Sequence, residues 1–123
     1  MLDKRKFYIN GKWVSPSKPN DLDVINPSTE EAFATISLGS KEDTNAAVSA
    51  AKKALVTWSE SSKEERVKLL EKLLDIYKKR YSEMTEAISM EMGAPMDWSN
   101  DAQTSSGQSH LEDFIVRLKE FKF

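Results

Sequence analysis

Apolar and polar positions alternate with a strand-like period through the first third of the chain and with a helical period after Ser40. Phe7-Tyr8-Ile9 and Lys12-Trp13-Val14 flank Asn10-Gly11, the kind of pair a type I′ turn needs because both central residues require positive φ. The pattern predicts a hairpin with Tyr8 opposite Trp13 and Phe7 opposite Val14. Such cross-strand pairs are each worth roughly 0.2–1 kcal/mol. Ser15 to Asp21, with Pro16 and Pro19, reads as a loop. Leu22 to Ile25 and Ala32 to Leu38 read as strands joined at Asn26-Pro27-Ser28-Thr29, where proline fixes φ and asparagine bonds locally.

Ser40-Lys41-Glu42-Asp43 resembles a capping box, and Ala47, Val48, Ala51, Ala54, Leu55 and Trp58 follow at helical spacing, so a helix is expected to about Trp58. Ser61 and Ser62, followed three residues later by Glu64 and Glu65, offer a second start. Val67, Leu70, Leu74, Tyr77, Tyr81, Met84 and Ile88 then share one face of a single long helix, which Gly93 and Pro95 end. That stripe reads as core rather than as a partner groove. From Trp98 to Gly107 the chain is polar and small, and a helix there needs tertiary support. Leu111, Phe114, Ile115, Leu118 and Phe121 form a last, narrow apolar stripe that reaches almost to the final residue.

The 123 residues suffice for one ordinary domain, and no shift in composition divides them. Eighteen lysines and arginines nearly balance twenty aspartates and glutamates, so there is no basic excess to neutralise phosphates, and nucleic acid is not an expected partner. No apolar run is long enough for a membrane span, and Asn10, Gly11 and Lys12 interrupt the only stretch that could be a signal-peptide core. A cytoplasmic protein with no membrane partner is the expectation.

The four glycines, at 11, 39, 93 and 107, are isolated, whereas a dinucleotide loop needs closely spaced glycines between a strand and a helix. No cofactor-binding residue is assigned. The absence of cysteine removes thiolate nucleophiles and thiolate ligands together. The single histidine, His110, reads as a surface or helix-flank residue, and Glu64, Glu65, Asp97 and Asp101 read as solvated helix-start carboxylates rather than an acid–base pair. No catalytic residue is assigned either.

Four blocks occur in a fixed order: Phe7-Tyr-Ile-Asn-Gly-Lys-Trp13, Asp23-Val-Ile-Asn-Pro-Ser-Thr-Glu-Glu31, Ala34-Thr-Ile-Ser-Leu-Gly-Ser40 and Glu91-Met-Gly-Ala-Pro95. Together they resemble the start of an NAD(P)-dependent aldehyde dehydrogenase, over roughly residues 6 to 95. Three departures stand out: Glu30 replaces the glycine of the family's Asn-Pro-x-Thr-Gly-Glu turn, Ala94 replaces the lysine of its Gly-Lys-Pro, and residues 97 to 110 match poorly.

The resemblance implies an α/β protein with a Rossmann-like coenzyme domain, of which residues 1–123 are the N-terminal part. Residues 1–39 would form a hairpin and strands, residues 40–123 would be mainly helical with three or four helices, and the catalytic domain would be absent. It further implies an enzyme that oxidises an aldehyde through a cysteine thiohemiacetal, passes hydride to NAD or NADP and releases a carboxylate. The cysteine, the general-base glutamate and the oxyanion-hole asparagine belong to motifs not present here, so the chain alone is expected to be inactive and to bind no coenzyme. Its expected partner is the remainder of the enzyme or another subunit, and the whole enzyme is expected to be a homo-oligomer. Some members of the family bind a monovalent cation, K+ or Na+, and the matching positions are Val24 and Ile25, through their carbonyls, and Glu91, through its carboxylate; hard cations take oxygen ligands of this kind. Two other readings stay open: a non-enzymatic interaction module, and a self-contained helical domain that shares only the opening pattern.

Overall fold

A computed structural model describes residues 1–122 of the chain. The residues gather into two compact units, Met1–Glu60 and the part from Ser61 onward.

The first unit contains β1 (Leu2–Lys4), β2 (Phe7–Ile9), β3 (Lys12–Val14), β4 (Asp21–Asn26), β5 (Glu31–Ser37) and α1 (Lys41–Trp58). The hairpin forms in the expected register, with β2 antiparallel to β3, Phe7 opposite Val14 and Tyr8 opposite Trp13. Asn10 and Gly11 hold φ of 53° and 74°, the positive values that close a two-residue turn with the strand twist. The rings of Tyr8 and Trp13 meet edge to face, with centroids 5.3 Å apart.

A three-stranded sheet has the order β1-β5-β4, with β1 parallel and β4 antiparallel to the central β5. The sequence pattern does not predict β1, because Leu2, Asp3 and Lys4 are all exposed and show no alternation. Its ladder to β5 places it, and Arg5 ties it down by pairing with Asp3 at 2.8 Å and Asp21 at 3.2 Å. The Arg5 guanidinium holds the Asp3 carboxyl well below the usual carboxylate range. Between β4 and β5, Asn26 accepts from the Ser28 N–H through its side chain at 2.9 Å and from the Glu30 N–H through its carbonyl at 2.8 Å. Glu30 itself sits at φ 59°, the left-handed region where the family pattern has glycine.

Helix α1 begins with a full capping box. The Ser40 hydroxyl accepts from the Asp43 N–H, and the Asp43 carboxylate accepts from the Ser40 N–H. Val48, Leu55, Val56 and Trp58 on this helix are exposed.

The second unit contains α2 (Lys63–Lys79), α3 (Tyr81–Met92), a single turn α4 (Met96–Trp98), a π-helical segment Ser99–Thr104, and α5 (Ser105–Glu120). Ser62 and Glu65 cap α2 reciprocally, at 3.1 and 2.7 Å. The single long helix expected from Ser62 to Gly93 breaks at Arg80, which leaves helical dihedrals at φ −106°, ψ 20°. Its N–H turns to the carbonyls of both Ile76 and Tyr77. Beyond this bend the buried residue is Thr85, while Met84, on the predicted stripe, is exposed. The reason lies in what α3 faces. Tyr77, Tyr81 and Thr85, spaced by four, all hydrogen-bond within or toward the polar segment from Ser99 to Thr104.

That segment is helical because it has the tertiary support its composition demands. The Tyr77 hydroxyl donates to the Thr104 carbonyl at 2.9 Å, Tyr81 donates to the Asn100 carbonyl, and the Thr85 and Thr104 hydroxyls meet at 3.0 Å. Ser99 and Thr104 are fully buried. Helix α5 packs on α2, burying Ile115 and half-burying Leu111 and Leu118, while Phe114 and Phe121 of the same predicted stripe stay exposed. Ion pairs Lys78–Glu112 and Lys119–Glu71, at 2.8 and 2.7 Å, flank the α2–α5 contact. Being exposed and screened by solvent, both contribute little to stability.

Candidate functional site

Val24 and Ile25 lie in β4, where the ladder to β5 is irregular. Val24 pairs with Ala34 but Ile25 with Ala32, so Phe33 is an extra residue on β5 and the register shifts between the two positions the resemblance implies as carbonyl ligands. Bulges of this kind disrupt the regular exchange of backbone hydrogen bonds. Glu91 is exposed in the last turn of α3, two residues before Gly93, which ends the helix at φ 68° with its N–H on the Ser89 carbonyl. Val24 and Ile25 belong to the first unit and Glu91 to the second. Among the described residues, no three His, Cys, Asp or Glu side chains stand together in a way that could hold a metal ion.

Of the carboxylates read as solvated helix-start groups, Glu65 caps α2 while Glu64, Asp97 and Asp101 are exposed, and Asp43 caps α1. Asp43 accepts from the backbone N–H of Ser17 and of Ser40, each at 2.9 Å, and from the Ser40 hydroxyl at 2.8 Å. The Ser17 and Ser40 hydroxyls meet at 2.7 Å. Backbone donors from Ser40 and Ser17 therefore hold the Asp43 carboxyl below its usual range. Donors from Ser62 do the same for Glu65. A carboxylate already saturated by donors is a weak base, so these two groups anchor chain rather than move protons. His110 is exposed on α5.

Sequence reasoning missed the polar cluster of Tyr77, Tyr81, Thr85, Ser99 and Thr104. Burial pushes the Tyr77 phenol above its ordinary value, so it stays a donor to the Thr104 carbonyl. Gly107 belongs to the same cluster. A Cβ there would lie 3.0 Å from the Tyr77 ring carbon Cζ and closer still to its hydroxyl. The available signal was the run of serine, threonine and glycine from Ser99 to Gly107, with tyrosines four residues apart in the preceding helices. Among the described residues, a groove along α1 at Asn45, Val48 and Lys52 and another beside Trp13 at Asp3 and Lys6 are built from exposed side chains. Neither supplies converging donors for a pyrophosphate.

The described residues thus offer helix caps, a β-bulge and a tyrosine-braced helix. A sequence model of the aldehyde dehydrogenase family matches residues 13–121. The chain belongs to the aldehyde dehydrogenase family. The match runs past Pro95, so the segment from residue 97 to 110, which departs from the opening pattern, is family sequence as well. Among curated relatives, the 3-succinoylsemialdehyde-pyridine dehydrogenase of a Pseudomonas species is 38% identical over 124 residues, covering all of this chain and 26% of that protein. Among solved structures, an aldehyde dehydrogenase from Bartonella henselae is 58% identical with a TM-score of 0.99, covering all of this chain and 26% of that one. Aldehyde dehydrogenase C of Pseudomonas syringae, solved as a mutant with NAD+ and octanal, is 34% identical with a TM-score of 0.94 over 97% of this chain and 24% of its own. The chain corresponds to an N-terminal part, about a quarter, of the relatives it matches. Its mixed α/β order, strands first and helices after, is the start of their Rossmann-like architecture.

Proposed function

We propose that the chain supplies the N-terminal scaffold of the coenzyme-binding domain of an enzyme that oxidises an aldehyde to a carboxylic acid, with hydride passing to NAD or NADP. The observation that carries this reading is the TM-score of 0.99 over the whole chain, at 58% identity, against a quarter of an aldehyde dehydrogenase. A thiolate nucleophile and a phosphate-binding loop come from the remainder of the enzyme, since this sequence contains no cysteine and no clustered glycines. The coenzyme supplies the hydride acceptor when bound; the residues of this chain position strands and helices around it. NAD+ in the Pseudomonas syringae structure supports the coenzyme class. By the same reading the whole enzyme is a cytoplasmic homo-oligomer.

A monovalent cation, K+ or Na+, held by the Val24 and Ile25 carbonyls and the Glu91 carboxylate, is part of the proposal. Its support is the family match, which spans all three positions. A second reading, an interaction module that docks on another subunit, is favoured by the exposed Leu55, Val56 and Trp58 of α1.

A chimera tests the proposal: this chain replaces the matching quarter of the Bartonella henselae enzyme, and NADH absorbance is followed with short aldehydes. Turnover in the chimera, with none from the chain alone, is the expected result. A folded but inactive chimera overturns the scaffold reading in favour of the interaction module. In the active chimera, Glu91→Ala should abolish the difference in melting temperature between potassium and sodium buffers while Glu64→Ala keeps it. Equal behaviour of the two variants removes the cation from the account.

A further inference from the structure

The hairpin turn combines three features that the enzyme reading does not use. Asn10 and Gly11 are both exposed, both hold positive φ, and the space where a Cβ of Gly11 would lie has no atom within 4 Å. The pairing of Ile9 with Lys12 closes the ladder around the turn, so the Gly11 amide lies inside the two-residue loop and outside the ladder. Glycine, lacking a side chain, leaves this amide nitrogen the least hindered of any that follow an asparagine in the chain.

We propose that Asn10 is a site of spontaneous deamidation, and that its product acts as a local ageing switch on the hairpin. The Gly11 amide nitrogen attacks the Asn10 side-chain carbonyl carbon. A nitrogen–carbon bond forms, the side-chain amide leaves as ammonia carrying the proton from Gly11, and a five-membered succinimide remains. Water then adds to one of its two carbonyls and opens the ring, giving aspartate or isoaspartate; no oxidant or reductant is involved.

The other asparagines lack this combination. Asn26 precedes Pro27, which has no N–H to attack with, and Asn45 and Asn100 lie inside helical segments whose amides are held in the ladder. Asn20 precedes Asp21, a residue with a side chain at the first position of β4. Isoaspartate places an extra carbon in the main chain at residue 10, so Ile9 and Lys12 no longer face each other across a two-residue turn. The Tyr8–Trp13 ring contact depends on that register and is lost with it.

The test uses the full chain, incubated in neutral buffer and digested with trypsin, which releases Phe7–Lys12 as one peptide. Mass spectrometry reads the one-dalton gain, and an isoaspartyl methyltransferase reads the isoaspartyl fraction. The expected result is conversion at Asn10 about an order of magnitude faster than at Asn20, because glycine alone offers an unhindered amide. The indole N–H resonance of Trp13 in two-dimensional NMR should shift in step with the isoaspartyl fraction and stay unchanged in Asn10→Ser. Conversion at Asn10 no faster than at Asn20 would overturn the proposal, as would a Trp13 signal that drifts equally in Asn10→Ser.

Discussion

Glu30 shows at one residue how a local departure from a family pattern becomes a measurable cost. It occupies φ 59° in the β4–β5 turn, where Cβ crowds the neighbouring carbonyl, a penalty of roughly 1–2 kcal/mol for residues other than glycine. Glycine removes the clash but loses more entropy on folding, so Glu30→Gly is expected to stabilise the turn by a net amount of roughly 0.5–1 kcal/mol. Hydrogen exchange at the amides of β4 and β5 would read this, and unchanged protection would show that the turn carries no strain.

Asp43 makes the second prediction at this scale. Its carboxyl is held below its unfolded value, so its contribution is complete above about pH 4 and is lost as pH falls through the lower, folded value. Asp43→Ala should therefore loosen the Ser15–Asn20 loop and the start of α1 at neutral pH. The gap between variant and parent should close in strong acid. A gap that is constant with pH would mean that the anchoring does not depend on the charge.

At the scale of elements, what was legible follows from side-chain pattern and what was not follows from partners distant in sequence. The hairpin register, both capping boxes and the glycine stop at Gly93 are encoded within a few residues, and all appear as expected. The break at Arg80 and the π-helical segment are not, because an apolar stripe with steps of three and four is the same for one helix or for two. The tyrosine hydroxyls decide the outcome. Tyr77→Phe removes the side-chain donor to the buried Thr104 carbonyl and should cost about 0.5–1.5 kcal/mol in local opening of residues 99–104. Gly107→Ala forces a methyl against the same ring and should cost ~1–3 kcal/mol. The double variant should fall short of the sum, since both act on one contact. Additive effects by hydrogen exchange would separate the two residues and refute the bracing role. The proposed cation ligands were legible only by resemblance, since two of the three are main-chain carbonyls that no side-chain pattern encodes.

At the scale of the whole molecule, the sequence carries enough apolar residues for a core, yet among the described residues only Ala34, Val67 and Ile115 are buried apolar side chains. Leu55, Val56 and Trp58 on α1, Met92, Met96 and Trp98 around the end of α3, and Phe114 and Phe121 at the end of α5 all remain exposed. Helical periodicity reports that a face is apolar; it does not report whether its cover lies in the same chain. With a chain about a quarter of the length of its relatives, the proposed scaffold role assigns that cover to the rest of the enzyme. The edges of β1 and β4 are likewise without a further strand in the described sheet, and open edges together with exposed apolar surface favour association. The isolated chain is therefore expected to self-associate or to remain loosely packed, with a clear helical signal in the far ultraviolet. Near-ultraviolet signals should be weak from Trp13, Trp58 and Trp98, which are 67%, 47% and 61% exposed. Restoring the remainder of the enzyme in the chimera should make the chain cooperative and quench its binding of a hydrophobic dye. Light scattering across concentrations, combined with a denaturant titration, checks the isolated chain. A concentration-independent monomer with one sharp transition would show that three buried apolar residues and a network of caps suffice, and would move the weight to a self-contained domain.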